Sequence, residues 1–273
     1  MLYGINITSL QEFPIAQKFF HEGLIDFVEI LIDNYKNSDP DTFYSVVGQI
    51  PHAVHIMSSR FIEADETELA DYYKSISPVL SAMNPIYISD HLARFTLEGV
   101  EFPAPMELDY EQEKQHILTA IDVWQHKLGS KLYLETFASI LDNGKNQADF
   151  FTGLLDTNKN VGVLFDVSNL VVGYLNGVIN MQDWTNVMLQ AQHFHVSGYS
   201  FSNTVPELIL DSHNTPISEV TLNTLFENRR IISKPQNTIV IERGYSYDEV
   251  QWRTDIINVK ESLDVNYAYQ KTA

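Results

Sequence analysis

Imidazole and carboxylate side chains recur in this sequence at one kind of place, the last residues of short apolar runs. His55 closes HAVH, Asp90 and His91 close PIYISDH, Glu135 closes KLYLE, Asp166 closes VGVLFD, His195 closes QHFH and Glu242 closes TIVIE. Glu29 sits in DFVEIL with Asp33 and Asn34 just after it, Asn169 follows soon after Asp166, and Asp211 and His213 lie in the stretch beyond His195. Carboxylates gathered in one small volume repel one another and take up protons unless cations lie between them. Neutral imidazole with carboxylate and no thiolate suits iron, manganese or zinc, whereas magnesium and calcium favour fewer histidines. Glu135, in the middle of the set, could bridge two ions. The chain has no cysteine, so disulfides, zinc-thiolate sites and iron–sulfur clusters are excluded within it.

Each residue also has an ordinary explanation. A single histidine near a strand end is more often a packed residue than a ligand. An aspartate at a strand end, such as Asp166, is commonly the N-cap of the next helix. Asp211 and His213 taken alone read as turn chemistry. Glu135 and Glu242 end strongly apolar runs, where an unpaired charge is costly, and there the ordinary explanation is weakest. It is the joint pattern that points to metal. His193 shares a face with His195 but lies deeper, and reads as a packing residue. His21, His116 and His126 fall on helices, and His52 begins its strand at the wrong end. Tyr199, just past the His195 strand, is placed at the same mouth.

For these residues to meet, the runs that carry them must be parallel strands with a common C-terminal edge. Eight such strands are legible: 2–7, 26–31, 52–57, 85–90, 131–136, 161–166, 192–197 and 238–243. Amphipathic helical stretches separate them, as at 11–23, 67–83 and 111–129, with Gly23 and Gly129 placed to end two of them. Residues 107–114 (ELDYEQEK) read as an acidic first helical turn. Alternating strands and helices over about 250 residues predict a single TIM-like (β/α)8 barrel, whose active residues sit at the C-terminal strand ends. We expect the barrel to occupy 1–262 and a tail 263–273. Residues 95–109 and 197–218 read as long loops at that rim.

Composition narrows the partners. With 36 acidic against 17 basic residues the net charge is -19, which disfavours nucleic acid and anionic membrane surfaces. No apolar run approaches the length of a membrane span. The N-terminus reads directly into a strand, and a cytoplasmic setting is expected.

His55, SDHL (89–92), LET (134–136), LFDVSNL (164–170), FHVSGY (194–199), DSH (211–213) and IER (241–243) resemble, in order, the motifs of the multinuclear non-haem iron-dependent oxidative enzymes. The resemblance runs from GIN (4–6) to IER, and within the family the sequence looks most like the B subunits of methanobactin biosynthesis, MbnB. It implies two or three irons of mixed valence in a TIM-like barrel, with O2 as cosubstrate. Carried over, His55, His91 and Glu135 serve one iron; Glu135, Asp166, His195 and Glu242 surround a second; Asn169, Asp211 and His213 hold a third, more labile ion. Asp90, Asp33, Asn34 and Tyr199 are candidates for supporting positions behind these ligands. The family often carries a histidine where this chain has Tyr199, and Glu-Asn-Tyr where this chain has Asp33-Asn34-Tyr35.

The implied activity is oxidation of cysteine residues in a ribosomally synthesised precursor peptide to oxazolone and thioamide groups. The barrel leaves little length for a peptide-recognition module, so a separate MbnC-like partner is expected to grip the leader. The main alternative is a zinc or manganese hydrolase or sugar isomerase of the endonuclease IV or xylose isomerase type, and the net charge argues against a DNA substrate. A third reading is a binding subunit whose metals are structural.

Overall fold

The computed structural model describes residues 1–97, 99–140, 146–203, 207–244 and 248–264. Its strands are β1 (Leu2–Ile7), β2 (Phe27–Leu31), β3 (His52–Ile56), β4 (Ile88–His91), β5 (Arg94–Leu97), β6 (Val100–Met106), β7 (Leu132–Glu135), β8 (Val161–Asp166), β9 (His193–Val196), β10 (Tyr199–Phe201), β11 (Ile209–Asp211) and β12 (Thr238–Ile241). The helices are α1 (Phe13–His21), α2 (Pro40–Val47), α3 (Glu66–Ala82), α4 (Lys114–Leu128), α5 (Gln147–Thr157), α6 (Val167–Leu175), α7 (Thr185–Gln190), α8 (Glu219–Ile232) and α9 (Glu249–Leu263). Eight strands close a barrel in the order β1-β12-β9-β8-β7-β4-β3-β2, and the recorded pairings around it are parallel. These are the eight strands expected from the sequence.

Period-two alternation decides what each strand offers to the barrel interior. On β9, His193 and His195 alternate with Phe194 and Val196, and all four are buried. The deep interior is filled by Phe27, Tyr87, Tyr133 and His193. Two glycines make room for them. A Cβ at Gly4 would lie 2.6 Å from the Phe27 ring, and one at Gly162 would lie 2.4 Å from the Tyr133 ring. The barrel is therefore plugged below the mouth.

Helix packing fixes the strands from outside. On α4, Ile117, Ala120, Ile121, Trp124 and Leu128 recur at helical spacing and are buried, each large side chain contributing roughly 1.5–3 kcal/mol by leaving water. Gly129 ends the helix at φ 66, a conformation that carries little strain only without a Cβ. Trp124 also donates its indole N–H to Asp90 Oδ2 at 2.7 Å, so the helix layer grips the residue next to His91.

Three expectations need correction. Residues 95–109 are not a plain loop but contain the β5–β6 hairpin, and 197–218 contain the β10–β11 hairpin. β5, β10 and β11 have only three or four residues and are only partly buried, and the longer β6 begins with exposed residues, so they lack the apolar alternation that marked the barrel strands. Gly99, at φ 77, is the turn signal that reveals the first. The acidic run 107–114 is not a helical turn: α4 starts only at Lys114, and Asp109 Oδ1 accepts from the N–H groups of Glu111 and Gln112. Helix α9 runs through Leu263, and of the expected tail 263–273, residues 265–273 lie outside the described residues.

Candidate metal centre

Strand register brings the chemistry together. His55 pairs with Ser89, His91 with Glu135, and Asp166 with His195, while Glu242 continues the β12 ladder with its N–H donating to Val196 O at 2.9 Å. Two sets of donor atoms converge, His55–His91–Glu135 and Glu135–Asp166–His195–Glu242, with Glu135 in both. They open into a cavity of about 740 Å³ whose lining includes Asn169, Asp211 and His213.

The first set has its ring orientations fixed in place. His91 Nδ1 lies 3.2 Å from Ile56 O; a carbonyl only accepts, so Nδ1 carries a hydrogen and Nε2 is the nitrogen turned toward the cluster. Ser89 Oγ donates to Val54 O and therefore receives the Nδ1 hydrogen of His55 at 2.8 Å. Both Nε2 atoms then face Glu135 Oε2, at 3.1 Å from His91 and 3.4 Å from His55. Burial and the neighbouring imidazoles hold His55 well below its ordinary pKa, so its Nε2 meets the carboxylate as an acceptor. Glu135 Oε2 is buried and has no hydrogen-bond partner among the described residues.

The second set is richer in carboxylate. His195 Nδ1 lies 3.2 Å from Glu242 Oε2 and 3.4 Å from Glu135 Oε1, and its Nε2 is 2.9 Å from Glu29 Oε1. Neither ring nitrogen is aligned for a hydrogen bond at these distances. Burial disfavours the imidazolium, but Glu242 and Glu29 outweigh it and hold His195 well above its ordinary pKa in the absence of metal. Asp166 is pushed well up by burial and by Asp211, Glu135 and Glu242. Its two oxygens divide their work: Oδ1 accepts from the N–H groups of Ser168 and Asn169, capping α6, while buried Oδ2 has no partner among the described residues. The helix cap and the free carboxylate oxygen are thus both present in one residue.

At the rim, His213 Nε2 lies 2.9 Å from both oxygens of Asp211 and 3.9 Å from Glu242 Oε2. Burial works against the imidazolium of His213, yet Asp211 and Glu242 raise its pKa to about 10. Asn169 donates its amide N–H to Thr136 O at 2.8 Å, which leaves its buried Oδ1 unpartnered among the described residues.

The supporting candidates fall in different places. Asp33 accepts from the N–H groups of Met57 and Ser58 and from Tyr72 Oη, so it shapes the turn after β3. Asn34 donates to Thr8 O. Asp90 is buried, accepts from Trp124 and from the His91 N–H, and has its pKa pushed well up by burial. Tyr199 stands opposite Asp211 in the β10–β11 hairpin with its ring on Ala138, Val172 and Ile209, outside the cavity lining described for this site. His193 is packed as expected, stacked on Tyr87 at 4.1 Å, with burial lowering its pKa to about 3. The sequence named Glu29 at a strand end without a role. The structure places it behind His195, its other oxygen taking the Tyr87 hydroxyl at 2.6 Å; its charge inside an apolar strand was the available signal.

The model of the family described as RiPP precursor modification enzyme MbnB/TglH/ChrH matches residues 9–257. A UPF0276 protein of Acaryochloris marina is 23% identical over 244 residues, covering 86% of this chain and 83% of that protein. One from Caulobacter vibrioides is 24% identical over 204 residues, covering 72% and 71%. Among solved structures, an L-ribulose 3-epimerase aligns with a TM-score of 0.64 at 11% identity, covering 99% of this chain and 97% of that one. A xylose isomerase-like TIM barrel protein from Mycobacterium smegmatis in complex with magnesium aligns at 0.63 and 10% identity, covering 97% of each. These structural likenesses concern the barrel alone. The family match spans the strand ends and the donor cluster together, and on it the chain belongs to the RiPP precursor modification enzymes MbnB/TglH/ChrH.

Proposed function

We propose that this chain is an iron- and O2-dependent oxidase that converts cysteine residues of a ribosomally synthesised precursor peptide to oxazolone and thioamide groups, working with a small MbnC-like partner. The observation that carries the reading is the convergence of buried imidazole and carboxylate groups around Glu135: His55 Nε2 and His91 Nε2 face its Oε2, and Asp166, His195 and Glu242 gather at its other side, with Asp166 Oδ2 and Glu242 Oε2 lacking hydrogen-bond partners among the described residues. Cations fit such a set, and its N and O donors suit iron. His55, His91 and Glu135 would hold one ion, Glu135, Asp166, His195 and Glu242 a second, and Asn169, Asp211 and His213 a third.

Bound iron would supply one-electron chemistry toward O2 and an open position for a substrate thiolate. The chain's own residues do the remaining work. Leu31, Met57, Leu92, Pro105, Phe137 and Leu210 line the cavity above the donors and exclude water from a peptide segment placed there. The packed aromatic floor closes the barrel from below, so substrate enters from the mouth. Among the described residues no helix is long and apolar enough to cross a membrane, which is compatible with a peptide substrate met in solution.

Metal analysis with Mössbauer spectroscopy on protein purified anaerobically with its partner tests the reading. Two or more coupled irons per chain, followed by O2 uptake on a cysteine peptide, are expected. Stoichiometric zinc without iron would overturn the oxidase and favour a hydrolytic or isomerising barrel.

A further inference from the structure

Asp211 and His213 differ from the other candidate ligands in lying outside the barrel ladder, on β11 and the turn beyond it. Something else must hold them beside Glu242. Part of the hold is backbone: the His213 N–H donates to Gly198 O at 2.9 Å, and the Gly244 N–H donates to His213 O at 2.8 Å. The rest converges on Thr215. Its hydroxyl donates to Tyr199 O at 2.7 Å, and its carbonyl accepts from Arg243 Nη1 at 2.9 Å. The approach to Gly198 is so close that a Cβ there would lie 2.0 Å from Thr215 O.

Arg243 directly follows Glu242 and is buried, 6% exposed. Its Nη2 donates to Asp255 on α9. Its backbone is clamped by Asn6, whose side chain accepts from the Arg243 N–H and donates to the Arg243 carbonyl, each at 2.9 Å. Asp255 also accepts from the Ile217 N–H at 3.3 Å, so the segment that roots the hairpin is tied to the same carboxylate. A guanidinium has a rigid planar fork and can fix two directions at once, which a lysine ammonium cannot. Here one direction is the outer helix and the other is the root of the hairpin.

We propose that Arg243, seated on Asp255, is the positioning residue that sets the gap between Glu242 and the Asp211–His213 pair, and so governs the ion held at the rim without touching it. That gap is the 3.9 Å from His213 Nε2 to Glu242 Oε2. The inference rests on the multinuclear metal reading above.

The test is an anaerobic Fe(II) titration of the full chain, resolving the successive binding steps, with thermal melting alongside. Arg243→Lys keeps the charge and removes the fork. The weakest binding step should lose about tenfold in affinity, the scale for residues that orient ligands, while the tighter steps stay in place. Asp211→Asn should affect the same step, and combining it with Arg243→Lys should add little at that step. If Arg243→Lys does not fold, Asp255→Asn, which keeps the guanidinium and frees its anchor, should weaken that step selectively. Equal weakening of all steps, or an unchanged weakest step, overturns the proposal. A wild-type chain that takes up no iron overturns the metal reading, and this inference with it.

Discussion

The donors on the barrel strands and the pair on the β10–β11 hairpin answer the absence of metal in opposite ways. In the barrel, the Nε2 atoms of His55 and His91 both face Glu135 Oε2, which like Asp166 Oδ2 and Glu242 Oε2 is buried without a hydrogen-bond partner among the described residues. At the rim, Asp211 and His213 are about a quarter exposed and satisfy each other as an ion pair. A buried acceptor without a donor costs roughly 1–3 kcal/mol, so the barrel cluster stores a demand for cations. The rim pair stores no such demand. A rim ion must displace a proton and break an existing contact, which makes that position the labile one.

The largest effect should come from Glu135, the residue both barrel sets share. Glu135→Ala is expected to weaken both barrel ions by more than about 100-fold, beyond the loss from altering residues behind the ligands. The metal-free variant should melt no lower than wild type, because one of several crowded carboxylates is gone. Metal content and a melting curve without metal check the pair of outcomes. A metal-free variant several degrees less stable would mean that Glu135 serves packing and that the stored demand is not there.

Next in size are single-set changes. His91→Ala should remove the first ion and spare the second, while Glu242→Gln should do the reverse, each by about 100-fold or more at its own step and little at the other. Loss of both ions from either change would show that the barrel donors act as one indivisible cluster.

A smaller and graded effect is set by pH. Without metal, His213 has a pKa raised to about 10, by Asp211 and Glu242 against the effect of burial, so at neutral pH a rim ion must expel that proton. Affinity for a group that must lose one proton rises about tenfold per pH unit below its pKa. Between pH 6 and 8 the rim step should therefore tighten by about 100-fold. His55, held well below its ordinary value by burial and nearby imidazoles, is already neutral over that range and contributes no such slope. Titrations at several pH values separate the rim step from the His55–His91–Glu135 step, while the second barrel step, whose raised His195 and Asp166 must also give up protons, should share the slope; a flat rim step would contradict the ion-pair account.

Most of the barrel cluster was legible because one physical rule governs it. Parallel strands expose their C-terminal ends to a single mouth, so His55, His91, Glu135, Asp166, His195 and Glu242 could be placed together before any distance was known. The hairpins were not legible, since β10 and β11 are three residues each and too short for alternation to stand out. Asp33 and Asn34 sat at the right strand end, yet their side chains turn to backbone groups of neighbouring segments, a choice that depends on contacts distant in sequence. Arg243 was visible only as part of IER, because its partners Thr215 and Asp255 come from elements that no local pattern connects.

Tyr199 gives the smallest and most pointed test. It lies directly opposite Asp211 in the antiparallel hairpin, and opposed residues share a face with Cβ atoms about 4.5–5.5 Å apart. Tyr199→His would put an imidazole on that face, beside the carboxylate of the rim pair. The rim ion should then tighten by up to about tenfold, the scale of a well-placed supporting group, with the barrel steps unchanged. Stability should fall by about 1 kcal/mol, since the tyrosine ring now packs on Ala138, Val172 and Ile209 and only part of that contact survives. If the rim step does not move, the new ring stays against the apolar cluster and the hairpin, unlike the barrel strands, offers no room for a further ligand.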